Sequence, residues 1–325
     1  MIISVESLKK TFKIVKRNEG VKAAVKTFFS KEYETITAIN NISFSISEGE
    51  IVGYVGPNGA GKSTTIKIMC GILVPDNGNC VVNGYIPWKD RTKYVKEIGV
   101  VFGQRSQLWW DLPVVDSFSI IKNIYKVPEN DYKINTKKLI DLLDLEQIVK
   151  TPVRQLSLGQ RMRCELAASL IHMPKVLFLD EPTIGLDAVS KITVRNIIKQ
   201  INKENGVTVI LTTHDMNDIE ALTNRLLLIG KGELLFDDTL EKLKNRYNPQ
   251  KIITVKATDD INAQINGLTL NEKNENQYVF SLNPELLSLP EAINFLNTRL
   301  KITDMTVSEE NTDSIIVKAY KEFSI

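Results

Sequence analysis

The sequence predicts an α/β fold for most of the chain, a parallel sheet with packed helices, followed by a small α+β unit. Three observations predict it. A short β-branched apolar run, Ile51–Val55, enters the glycine-rich loop Gly56-Pro57-Asn58-Gly59-Ala60-Gly61-Lys62-Ser63-Thr64, and the residues after Lys62 take helical spacing through Ile66, Met69 and Leu73. A second apolar strand, residues 176–179, ends in Asp180-Glu181. Near Asn248-Pro249 the composition shifts and strand signals start again.

The loop joins a buried strand to a helix, the context that a G-x-x-x-x-G-K-[ST] match requires. Gly56, Gly59 and Gly61 let successive backbone N–H groups turn toward a polyphosphate, and the following helix N-terminus adds a dipole that favours anions. Lys62 supplies a point charge for the outer phosphates, and Ser63 offers a hydroxyl to Mg²⁺, a cation that prefers oxygen. At the second strand end, Asp180 is expected to hold Mg²⁺ through water. Glu181 is then free to orient or deprotonate an attacking water, a positioning role typical of phosphoryl transfer.

A third motif, Leu156-Ser157-Leu158-Gly159-Gln160, precedes a stretch of helix-forming residues through 170, with Ser157 as a good N-cap. Its backbone N–H groups are anion donors. In this order the three motifs resemble the ATP-binding cassette (ABC) family, and the resemblance covers roughly the first 240 residues, enough for one large domain. It implies a P-loop NTPase cassette with a RecA-like core, an antiparallel β subdomain and a helical subdomain over about residues 105–172. It further implies binding of ATP by residues 56–64, with catalytic roles for Lys62, Glu181 and His214.

Within the resemblance, Gln104 is the Q-loop glutamine that touches nucleotide and metal, with Gln107 as a rival. Gly185-Leu186-Asp187 is the D-loop, and Thr212-Thr213-His214-Asp215 follows strand 207–211 as the switch histidine. Ser157, Gly159 and Gln160 are expected to bind the γ-phosphate held by a second subunit, so one copy of each motif implies a dimer, most simply a homodimer. Leu158 departs from the glycine that the family usually has there. Tyr33 is the candidate aromatic for stacking on adenine, with Phe12 as the alternative. His172, the only other histidine, reads as structural.

Residues 13–32 are an insertion relative to a typical cassette, with Val21, Ala24, Val25, Phe28 and Phe29 at helical spacing. That pattern fits either a helix docked on its own domain or a basic amphipathic helix at a membrane surface. A helix is expected over 136–149. Trp109 and Trp110 are candidates either for contact with a membrane permease, which the resemblance implies as partner, or for core packing.

Composition narrows the remaining classes. Lys+Arg of 41 against Asp+Glu of 39 leaves +2, too balanced for nucleic acid to be the expected partner. No apolar run approaches the roughly 18 residues that cross a bilayer, and no signal-peptide pattern opens the chain, so a cytoplasmic protein is expected, peripheral on the inner face of the cell membrane through its permease. Cys70, Cys80 and Cys164 lack C-x-x-C spacing.

The expected domains are 1–246, the cassette, and 247–325, a small α+β accessory or regulatory domain. The latter has strands at 252–257, 278–282 and 302–307 and helices at 284–296 and 313–323, and it resembles the C-terminal extension of ATPases from bacterial drug, ion and viologen-type exporters. The function implied is an ATP-hydrolysing subunit that powers a separate permease, most simply an exporter. The alternative is a soluble ABC ATPase acting on ribosomes or DNA; such proteins usually carry two cassettes or a long coiled-coil insertion, and this chain has neither.

Overall fold

The computed structural model describes residues 1–15, 33–103, 105–247, 250–258, 265–274, 276–309 and 311–323. The predicted helix over 21–29 and Gln104 lie outside the described residues. The chain divides into two compact units, Met1–Thr239 and Leu240–Ile325.

In the first unit, strands β1 (Ile3–Val15) and β2 (Tyr33–Ile46) form a long antiparallel hairpin. Then come β3 (Ile51–Val55), α1 (Lys62–Met69), β4 (Asn77–Val82), the short α2 (Arg91–Tyr94) and β5 (Ile98–Phe102). Three helices follow: α3 (Val114–Tyr125), α4 (Glu129–Leu142) and α5 (Leu158–Leu170). The unit closes with β6 (Val176–Asp180), α6 (Ala188–Asn205), β7 (Thr208–Thr212), α7 (Met216–Leu222), β8 (Arg225–Gly230) and β9 (Glu233–Thr239).

The central sheet has the order β5-β6-β7-β3-β8-β9, parallel except for β9 at its edge. Its strands read as continuous apolar runs because both faces are covered: Val176, Leu177, Phe178 and Leu179 are all fully buried, as are Val209, Ile210 and Leu211. A second, antiparallel sheet has the order β2-β1-β4. Residues of that sheet (Ile3, Leu8, Ile42) share one core cluster with Val52, Ile66 and Phe178, so the antiparallel sheet braces the phosphate-loop helix. Tyr54 donates from its hydroxyl to Thr65 Oγ1 at 3.0 Å and ties β3 to α1 across the loop between them.

The helix expected over 136–149 is displaced. Pro128 caps α4 at an earlier start, and Asp144 takes a left-handed φ of 51° after the helix has ended. Leu145 and Val149 are buried from the turn that follows.

The second unit holds α8 (Leu240–Arg246), β10 (Lys251–Ala257), β11 (Leu268–Asn274), β12 (Gln277–Leu282), α9 (Leu289–Arg299), β13 (Ile302–Glu309) and α10 (Thr312–Glu322). Its sheet is antiparallel, in the order β11-β12-β10-β13. The helix Leu240–Arg246 belongs here and not with the cassette, because Arg246 pairs with Glu322 at 2.7 Å and the Tyr247 hydroxyl donates to the same carboxylate at 2.6 Å. The compact units divide at 239/240. Strand β11 was not predicted. It is a polar edge strand, exposed from Thr269 onward, with no hydrophobic alternation to announce it. Helix α9 begins at Leu289, later than the expected 284, where Ser288 and Glu291 form a capping box.

Candidate functional site

The loop between β3 and α1 is shaped by close backbone approach. Gly61 has a φ of 103°, and a Cβ there would lie 2.4 Å from the Ala38 carbonyl oxygen; one at Gly56 would lie 2.5 Å from that of Ile229. Only glycine fits either position. Lys62 is buried, and its ammonium donates to the carbonyls of Gly56 and Pro57, the latter at 3.1 Å. Burial lowers its pKa, while Glu181 and Asp180 pull in the opposite direction.

The two acids sit where β6 ends. Asp180 accepts a hydrogen bond from the Thr212 hydroxyl on β7. Glu181 adopts a left-handed φ of 55°, held by its N–H donating to the Thr212 carbonyl at 2.9 Å. Non-glycine residues seldom take that conformation, and such strain concentrates at functional sites. Gly103 makes room for the turn: its N–H donates to Asp180 at 2.8 Å, and a Cβ there would come within 2.2 Å of the Glu181 carbonyl oxygen. His214 Nδ1 lies 3.4 Å from Glu181 Oε1.

The loop and the acids open onto two clefts that share Ser63 and Glu181; His214 lines neither and touches them only through Glu181. One, of about 310 Å³, is lined by Ser63, Asp180, Glu181, Gly103 and two cations, Lys67 and Arg105. Its oxygen set, one hydroxyl and two carboxylates, suits a hard cation such as Mg²⁺. The other, of about 320 Å³, runs along the loop from Asn58 to Thr64 and is bounded by Phe12 and Ala38. Tyr33 lines neither. It pairs with Val15 at the far end of the β1–β2 hairpin, beyond the Phe12↔Ile36 pair, and is 56% exposed. Of the two candidate aromatics, Phe12 borders the loop cleft and Tyr33 does not.

The signature run lies apart from both clefts. Ser157 caps α5 in a capping box: its hydroxyl accepts from the Gln160 N–H at 3.2 Å, and Gln160 Oε1 accepts from the Ser157 N–H at 2.9 Å. A Cβ at Gly159 would lie 2.4 Å from Ser190 Oγ, so any larger residue there would displace the Ser190 side chain. Leu158 is half-exposed and leans on the D-loop, its Cδ2 lying 3.1 Å from where a Gly185 Cβ would be. Asp187 caps α6 through the Ser190 N–H at 2.9 Å, a bond that lowers its pKa, and lines neither cleft.

Gln107, the rival to Gln104, is turned away from the acids. Its side chain donates to the Glu165 carbonyl at 3.0 Å on α5. Trp109 and Trp110 are exposed at 39% and 52%, which removes core packing as their role. His172 is structural as expected: Nε2 bonds the Ile98 carbonyl at 2.9 Å, the ring stacks on Tyr125 at 3.9 Å, and burial pushes its pKa down to about 4.

Sequence reading missed two features. Arg105 enters the cleft of the acids, adjacent in sequence to the glutamine that drew attention. A buried network also fixes the His214 loop to α6: Arg195 pairs with Asp218 at 2.6 Å, Lys191 with Asp215 at 2.6 Å, and the Thr213 hydroxyl donates to Asp218 at 2.9 Å. Asp218, fully buried, had no motif to mark it. Among the described residues there is no group of His, Cys, Asp and Glu with metal-cluster geometry, and no helix is long and apolar enough to cross a membrane.

A parallel sheet with a phosphate loop after β3 and paired acids after β6 defines a P-loop nucleotide hydrolase. The ABC transporter family matches residues 39–184. The linearmycin resistance ATP-binding protein LnrL of Bacillus subtilis (strain 168) is 34% identical over 228 residues, 70% of this chain and 73% of that protein. The structure of cbiO1 from Clostridium perfringens, part of the ABC transporter complex cbiONQ, shares 26% identity with a TM-score of 0.61, covering 75% of this chain and 95% of that one. A dimeric, ADP- and phosphate-bound ATP-binding cassette, MJ0796, has the same fold at 24% identity and TM-score 0.59, covering 73% of this chain and 98% of its own. The chain belongs to the ABC transporter family, as an ATP-binding and ATP-hydrolysing subunit.

Proposed function

We propose that the chain dimerises around two ATP molecules and powers a separate membrane permease, most simply an exporter, from the cytoplasmic face of the cell membrane. The observation that carries this reading is the division of labour within one chain. Lys62, Ser63, Asp180 and Glu181 line adjoining clefts, with His214 reaching Glu181 from beside them at 3.4 Å, while the signature end of α5 lies outside them. A helix end that faces away from its own nucleotide serves a partner's.

In this reading the loop 56–64 wraps the phosphates with its N–H groups, and Lys62 leaves the Gly56 and Pro57 carbonyls for phosphate oxygens. Phe12 stacks on the adenine. Ser63, Gln104 and, through water, Asp180 would hold Mg²⁺, which when bound neutralises charge on the phosphates. Glu181 orients and deprotonates the attacking water, and His214 holds Glu181 in line from 3.4 Å. The partner's Ser157, Gly159 and Gln160 stabilise the γ-phosphate, with Asp187 steadying the adjoining interface.

Export is supported by the resistance function in the name of the LnrL protein. The second unit reads as accessory or regulatory, since its core of Ile253, Val255, Tyr278, Phe280 and Leu296 is complete within itself. The test is Glu181→Gln in the full chain. It should keep ATP binding and lose at least about 100-fold in kcat, the low end of general-base contributions; near wild-type turnover would overturn the assignment.

A further inference from the structure

One buried charge in the cassette has no place in the scheme above. Glu165 lies in the second turn of α5 and is 4% exposed. A carboxylate there costs stability unless it is paired or hydrogen-bonded, and an apolar side chain would fill the same volume without that cost. Its partners all come from the segment that follows β5. The Ser106 hydroxyl and the Gln107 N–H both donate to the carboxylate, the latter at 3.2 Å, and the Gln107 side chain donates to the Glu165 backbone carbonyl at 3.0 Å. One turn earlier on the same face, Arg161 lies over the Trp110 ring at 5.6 Å. Between these anchors Leu108 is buried and the Trp109 N–H donates to Ser117 Oγ at 3.1 Å. Segment 106–110 is thus fastened to the signature helix by two side chains spaced i, i+4.

We propose that Glu165 is a positioning residue for ATP hydrolysis: through Ser106 and Gln107 it locks segment 106–110 to α5, so that load on the exposed Trp109 and Trp110 moves the signature end of the helix. Gln160 is five residues from Glu165, a rise of about 8 Å along a rigid helix. Displacement at the tryptophans therefore reaches Ser157 and Gly159 with little attenuation. Burial raises the pKa of Glu165, opposed by Ser106 and Gln107, which fits a carboxylate retained for its acceptors and not for stability. This inference rests on the signature reading given above.

The test is steady-state ATPase kinetics of the full chain against MgATP concentration. Glu165→Ala should lower kcat about tenfold and leave KM within about twofold, the pattern of a lost transition-state arrangement. Glu165→Gln, which keeps an acceptor, should recover most of that loss. Ser106→Ala should lower kcat about threefold in the wild-type background and have almost no further effect on top of Glu165→Ala, as coupled residues do. Independent, multiplying effects of the two substitutions would overturn the proposal, as would a loss confined to KM or an unchanged kcat per folded molecule. If Glu165→Ala does not fold, Ser106→Ala alone decides, and an unchanged kcat there refutes it. Glu181→Gln in the same assay separates the two claims: its inactivity upholds the hydrolytic site even where Glu165 fails.

Discussion

The phosphate loop and the signature run are both glycine-bearing helix N-termini, yet the structure satisfies them in different ways. In the loop, Gly56 and Gly61 are forced by neighbouring carbonyl oxygens, and the helix they lead into has no side-chain cap. Its backbone donors are thus left for a ligand. In the signature, Ser157 and Gln160 already use their side chains on one another, and Gly159 lies close against the Ser190 side chain of the same chain. The first is a cradle built to be filled by its own substrate. The second is closed on itself, and in the proposed function a phosphate from the partner's site replaces its internal bonds. Similar local sequence chemistry therefore does not mean similar readiness to bind.

The largest break in that contrast comes from the hydrolytic side. His214→Ala should lower kcat about 100-fold while ATP affinity stays within about threefold, because the histidine contacts Glu181 and not the loop; parallel turnover and nucleotide-binding assays check it. Next is Gly159→Ala, whose methyl meets Ser190 Oγ and should reduce kcat about tenfold with intact binding to the phosphate loop. Adding Ser190→Ala should restore much of it, and failure to do so would show that the glycine answers to something other than its own chain.

Phe12→Ala should weaken ATP binding about tenfold, the size of one lost base–aromatic stack, whereas Tyr33→Ala should change it less than twofold, as titration calorimetry would read. The smallest effect concerns pH. Burial raises the Glu165 pKa above its unfolded value, so its favourable contribution is full at low pH and is lost as pH rises through the folded pKa. Relative to wild type, Glu165→Gln should therefore gain melting temperature as pH increases from about 4.5 upward. A difference that is flat in pH would contradict the assigned burial.

What the sequence made legible was contiguous chemistry. The loop 56–64, Asp180-Glu181 and Ser157 are short runs whose residue types and order carry their meaning, and His214 took its meaning from its place after them. What it hid depends on strand register and on distant pairing. Phe12 and Tyr33 are equally aromatic, and only the Phe12↔Ile36 and Val15↔Tyr33 pairs decide which one borders the loop. Glu165 and Asp218 look like ordinary helix acids until their partners from segments 106–107 and 183–195 close over them. β11 escaped because an exposed edge strand needs no apolar face. Leu158 departs from the family pattern and lies near the D-loop, where a side chain at Gly185 would meet its Cδ2.

The central claim, that the self-capped signature end acts on a partner's nucleotide, is tested most directly by mixing two inactive chains. Lys62→Ala leaves a sound signature, and Ser157→Arg leaves a sound phosphate loop. A mixed dimer with sites completed across the interface contains one fully wild-type site. Each variant alone should be inactive, and an equimolar mixture should recover about a quarter of wild-type hydrolysis, half the dimers being mixed and one of two sites being active in each. A mixture as inactive as its components would contradict the account.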